Sequence, residues 1–234
     1  MTRHPRAQER GNVFFYIFLG IALFGALSFA VSQGGQGSIK GLADEQSRLR
    51  ATEIIDYTDS VGKAVGIMRL RGVKLTELSF ANTGDVAYGT PGTTPEHEVF
   101  NAEGGGMILR PISTDALDNS ASGTKYYTYT GNNAVSGVGT TCTASTCADL
   151  MILALNLKKS VCITINEMIS IDNPSNSPPV DDDFDDTTAF TGTMGYSETI
   201  GDETSSAPVY GHTSGCVFNN DTGEYDYYKV LWTQ

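Results

Sequence analysis

The chain is 234 residues long with a formal net charge of −12, which allows one anchoring segment and one domain of ordinary size. The charge is unevenly placed. Residues 1–12 hold three Arg and one Glu, whereas from Leu75 onward five Lys/Arg stand against twenty-one Asp/Glu. An acidic domain of this kind repels nucleic acid and anionic lipid, so a nucleic-acid partner is set aside; an ionic exterior, with a divalent cation as a possible ligand, suits it better.

Val13–Val31 is nineteen residues without a charge. As a helix it is about 29 Å long, close to the hydrocarbon thickness of a bilayer. Arg3, Arg6 and Arg10 precede it, and short basic flanks stay on the cytoplasmic side. The expectation is one transmembrane helix, a cytoplasmic N-terminus, and everything after about residue 34 periplasmic or extracellular. Two other readings stay open. Ser28-Phe29-Ala30 fits the small-x-small rule of a secretory signal peptide cut before Val31, and an uncleaved single-span anchor needs no cut at all.

Gly34-Gly35-Gln36-Gly37 is expected to break or soften the helix. From about Leu42 to Arg71 the spacing turns amphipathic, with Leu42, Leu49, Ile54, Tyr57, Val61, Val65 and Met68 forming one apolar stripe. Gly72 is expected as its C-terminal cap. Beyond it, Met107–Pro111, Lys125–Thr130 and Tyr225–Trp232 read as strands, rich in aromatic and β-branched residues. Gly104-Gly105-Gly106 reads as a turn or a close backbone approach. A further helix is expected around Ala148–Ile169, with Leu150, Leu153, Leu157, Val161 and Ile165 as its apolar face. Asn173–Asp186, with three prolines and five aspartates, reads as a solvated loop.

The four cysteines, Cys142, Cys147, Cys162 and Cys216, all follow the anchor. An even number fits two disulfides in an oxidising compartment, against four free thiols or a zinc site. Zinc sites usually bring closely paired Cys or His ligands, and only Cys142 and Cys147 are close. Of the three connectivities, Cys142–Cys147 with Cys162–Cys216 is favoured, because the first pair closes a short loop at little entropic cost.

Signatures of chemistry are sparse. The chain carries no P-loop, dinucleotide fingerprint, nucleophile elbow or zinc-protease motif, and no enzyme is expected. Glu96-His97-Glu98 has metal-ligating side chains, but alternate strand residues face opposite ways, which favours a solvated polar run. The dense acidic cluster is Asp181, Asp182, Asp183, Asp185 and Asp186. Calcium tolerates irregular oxygen-rich loops, so it is the one cofactor considered, although the spacing is not that of an EF-hand; a disordered acidic loop is the alternative.

Arg10-Gly11 followed by an aromatic-rich helix resembles the type IV pilin superfamily, which includes the pseudopilins of type II secretion. The resemblance covers about 75 residues: Arg3/Arg6/Arg10, Gly11, Val13–Val31 and Leu42–Arg71 each have a counterpart. It implies cleavage after Gly11 by a prepilin peptidase and methylation of the new N-terminal Asn12. It also implies an α+β fold, in which one long helix, membrane half then amphipathic half, packs on an antiparallel β-sheet head bearing disulfides. The implied segments are a basic leader at 1–11, a transmembrane helix at 12–33, a Gly break and amphipathic helix at 34–74, and a β-rich head at 75–234. Asn12 stands where major pilins usually have Phe or Met, and Tyr16 where most have a Glu that pairs with a neighbour's N-terminus. Both departures point to a minor, capping or tip subunit of a filament or pseudopilus, with other pilin-like subunits as partners through the N-terminal helix and its Gly20 and Gly25. The competing expectation is a single-span or secreted binding protein.

Overall fold

The computed structural model describes residues 13–139, 148–182, 185–196 and 198–233. The backbone forms two compact units, Met1–Glu45 and Gln46–Gln234. A single helix of 58 residues, α1 (Val13–Leu70), contributes to both. It runs uninterrupted through Gly34–Gly37, where the sequence predicts a break. Glycine costs a helix about 1 kcal/mol but keeps its N–H; only proline removes the donor and clashes with the preceding turn.

Among the described residues no helix is long and apolar enough to cross a membrane. This corrects both the transmembrane reading of 12–33 and the single-pass inner-membrane placement drawn from it. The charge-free run contains Gly20, Gly25 and Ser28 and gives way at Ser32-Gln33 to the glycine-rich stretch.

In the second unit, α1 buries Ala51, Ile54, Tyr57, Val61, Val65 and Met68. Their spacing of three or four residues places them on one face. Leu42 and Leu49, expected in the same stripe, are exposed. The helix ends as Gly72 predicts. Gly72 has φ +97°, its N–H donates to Arg69 O, and Val73 N–H donates to Met68 O. That is the paired bonding of a Schellman cap, in which the left-handed residue costs glycine nothing.

Six strands follow: β1 (Thr128–Val135), β2 (Asp149–Ala154), β3 (Val180–Asp181), β4 (Glu198–Ile200), β5 (Ser214–Asn219) and β6 (Glu224–Trp232). They form one sheet in the order β3-β5-β6-β2-β1-β4. β1–β2, β2–β6 and β5–β6 are antiparallel, but β1–β4 and β3–β5 are parallel. The two edges are also drawn together. Gly201 N–H donates to the Asp181 carboxylate at 2.8 Å, and Val180 N–H donates to Ser205 O. The fold expected from the resemblance, a membrane-anchored helix on an antiparallel sheet, is therefore corrected: the sheet is mixed and nearly closed, and the helix is divided between two units without a membrane span.

The helix expected around Ala148–Ile169 is in fact the central strand β2 followed by the shorter α2 (Lys159–Met168). Leu150, Ile152 and Ala154 join the core that holds the α1 stripe, and Met151 and Leu153 join a second core with Val135, Ile200, Val217 and Tyr228. A strand buried on both faces reads as a continuous apolar run, which periodicity alone does not separate from a helix. Asn156, at φ +56°, ends the extended run before α2 begins. Met107–Pro111 is not a ladder strand: Met107 N–H donates to Val99 O, and Pro111 makes an isolated bridge with Tyr126. Lys125–Thr130 overlaps β1, and Tyr225–Trp232 lies within β6.

Candidate functional site

The first unit presents one conspicuous chemical feature. Phe14, Phe15, Phe18, Leu23, Phe24 and Phe29 of α1 are each between 63 and 73 % exposed. Soluble monomers rarely leave so many large apolar side chains together in water, and such patches mark surfaces that bind something. Burying one of these phenylalanines is worth about 1.5–3 kcal/mol, so a handful suffices for a stable association. Gly20 and Gly25 leave open space beside the helix, with no atom within 4 Å of a Cβ built on either. Two such helices can approach closely there. Tyr16, also exposed, offers a hydroxyl and ring area in place of a charge. Gly11 and Asn12, the processing residues implied by the resemblance, lie outside the described residues.

Of the cysteines, Cys162 of α2 and Cys216 of β5 form a disulfide with Cα atoms 5.4 Å apart. Both are fully buried. Cys142 and Cys147 lie outside the described residues. Asn166, one helical turn after Cys162, clamps the same stretch of β5. Its side chain donates to Cys216 O at 2.8 Å and accepts from Cys216 N at 2.9 Å. A buried carboxamide thus serves as a strand partner upstream of the point where the two-residue β3 pairs with Phe218 and Asn219. No sequence signal singled out Asn166, since a helical Asn has no local signature of such a long-range bond.

The acidic segment is built into the sheet at Asp181. Asp181 is fully buried on β3. Asp182 is exposed, and its N–H donates to Glu203; Asp183 lies outside the described residues. Asp185 accepts from the backbone N–H groups of Thr187 and Thr188 and from Asn132 Nδ2. Asn133 grips the backbone of the same residue in both directions, donating to Asp185 O and accepting from Asp185 N, each at 2.8 Å. Burial by itself raises the Asp185 carboxyl, but these donors outweigh it and hold it below its ordinary value. Asp186 is instead pushed up, first by burial and also by Asp185. Among the described residues no group of three or more His, Cys, Asp or Glu side chains is placed to hold a metal ion. The carboxylates of Asp181 and Asp185 accept from protein donors.

Sequence reasoning also missed two buried acids. Glu98, part of the run read as solvated, is only 2 % exposed. Burial favours its neutral form, but the N–H groups of Gly92 and Thr94 and the Asn101 carboxamide bind the carboxylate and lower it below its usual range. Its carbonyl lies against Gly104, where an added Cβ would sit 2.1 Å from Glu98 O; this is the close backbone approach expected of Gly104–Gly106. Asp226 of β6 is fully buried. It accepts from Asn156 N–H at 2.9 Å and from Asn219 Nδ2 at 3.3 Å. Burial, with Glu224 and Asp186 adding repulsion, raises it to about 7 despite those two donors.

A groove lies between α1 and the segment that crosses it. One part, of about 400 Å³, is lined by Glu53, Asp56, Tyr57 and Arg110 among others; a second, of about 280 Å³, shares Glu53, Tyr57 and Arg110. Its polar walls are mutually engaged in part: Arg50 pairs with Glu53 and Asp115 at 2.8 Å each.

No family model, curated protein or solved structure matches this chain. The functional reading therefore rests on the chain's own surfaces.

Proposed function

We propose that this chain is a pilin-like structural subunit of a cell-envelope filament or pseudopilus, a minor or tip component. In this reading Phe14–Phe29 of α1 packs among the helices of other subunits, and the mixed sheet of the second unit forms the head. The observation that carries the reading is the run of exposed Phe, Leu, Ile and Tyr side chains along α1, interrupted only by Gly, Ala and Ser. Water penalises that surface, and neighbouring apolar helices remove the penalty. The Cys162–Cys216 bond supports a head that matures in an oxidising compartment. Tyr16 supports a minor role: a carboxylate at that point has a strong drive to find a partner's N-terminus, and a phenol does not.

The reading requires processing at Arg10-Gly11. Intact-mass measurement of protein recovered from the producing cell should show a chain beginning at Asn12, with the added mass of N-methylation. A mature chain that retains Met1 or Thr2 contradicts it.

A further inference from the structure

The chain contains two Asn-x-Ser/Thr triplets, Asn173-Pro174-Ser175 and Asn220-Asp221-Thr222. The structure separates them. In the first, proline occupies the central position, which blocks acceptor function. The Asn173 carboxamide is moreover engaged on both sides, accepting from Asn166 Nδ2 at 3.0 Å and donating to Ile163 O at 3.2 Å. The second forms the tip of the β5–β6 hairpin, where Asn220, Asp221 and Thr222 are all exposed. The turn does not depend on the Asn220 side chain. It is held by Asn219, whose buried side-chain oxygen accepts from Asp221 N–H at 3.1 Å and Thr222 N–H at 3.3 Å, and by Gly223 at φ +75°. Asn220 uses only its backbone N–H, which donates to Asp181 O at 3.0 Å. Among the described residues no hydrogen bond is made by its carboxamide.

We propose that Asn220 is an acceptor for asparagine-linked glycosylation. The hairpin presents a free carboxamide with a Thr hydroxyl two residues on, and the same domain holds a buried disulfide, a bond favoured by oxidising compartments. The donor class is a glycan esterified to a polyprenyl phosphate or pyrophosphate, delivered by a membrane oligosaccharyltransferase. The carboxamide nitrogen attacks the anomeric carbon, the C–N bond forms, the glycosyl C–O bond breaks, the amide loses one proton, and the polyprenyl phosphate or pyrophosphate leaves with the bonding pair. A glycan at this tip adds bulk to a solvent-facing turn and leaves both cores untouched.

The test is peptide mass spectrometry of full-length protein purified from its own host, compared with Asn220→Gln, Thr222→Ala and Asn173→Gln. The expected result is a peptide spanning Asn220 that carries at least one saccharide residue. Asn220→Gln and Thr222→Ala should both abolish it and migrate faster on a gel, and Asn173→Gln should leave it unchanged. Thr222→Ala keeps the acceptor amide and removes the hydroxyl with its methyl, so loss in both variants, each with Cys162–Cys216 oxidised and a wild-type thermal midpoint, ties the modification to the Asn-x-Thr triplet. An Asn220 peptide of unmodified mass throughout overturns the assignment. This outcome is independent of the N-terminal mass that tests the subunit reading.

Discussion

Replacing Cys162 and Cys216 together by alanine is expected to lower the stability of the second unit by about 4 kcal/mol. The bond closes a loop of 54 residues in sequence, and holding such a loop closed in the unfolded state costs that ensemble about 4 kcal/mol of chain entropy. For a domain of this size that corresponds to a fall in Tm of roughly 10 °C. The Asn166 clamp does not replace the bond, because it restrains only the folded chain and leaves the unfolded ensemble unconstrained. Thermal unfolding of the oxidised protein, the reduced protein and the double variant should give one high and two similarly low midpoints. Coincident midpoints for all three would show that the bond contributes nothing.

The second large effect is a pH dependence centred on Asp226. Its folded value of about 7 lies above the ordinary 3.8, so the folded state holds a proton that the unfolded state has already released. Stability from this group is therefore complete below about pH 4 and is lost as pH rises to about 7. The loss amounts to about 4 kcal/mol. Glu98 and Asp185 act in the opposite sense and in a lower window: their carboxyls are depressed, so their contribution fades only as pH falls below the ordinary carboxylate range. Denaturant titrations from pH 4 to pH 8 should show the decline in the wild type and a much flatter profile in Asp226→Asn. Parallel profiles would mean that Asp226 is not the responsible group.

The legible parts of the fold were those with a local physical signature. The spacing of Ile54, Tyr57, Val61, Val65 and Met68 announces a buried helix face, and Gly72 announces its end, because both depend on neighbours within one or two turns. Tyr225–Trp232 was legible as a strand from its aromatic and β-branched residues. β2 was not, since Leu150–Leu153 is buried on two faces and loses the alternation that marks a strand. Nor was the fate of the carboxylates. Asp181, Glu98 and Asp226 look like surface acids in sequence; they are buried because donors remote along the chain, such as Gly201 for Asp181 and Asn156 for Asp226, come to meet them. The parallel pairings β1–β4 and β3–β5 bring distant segments together, and no turn motif advertises them. In the candidate site, the exposed Phe and Leu of α1 were visible as an apolar run, but the run did not distinguish a bilayer span from a surface for other helices.

The claim that Phe14–Phe29 is a subunit-packing surface is tested most directly by site-specific photo-crosslinking in the producing cell. A photoreactive phenylalanine analogue at Phe18 or Phe24 should yield discrete adducts with the N-terminal helices of other envelope subunits, identified by mass spectrometry. The same analogue at exposed Tyr210 in the head should not yield those adducts. Photoreactive positions that label no protein at Phe18 and Phe24, in cells that assemble filaments, would contradict the account.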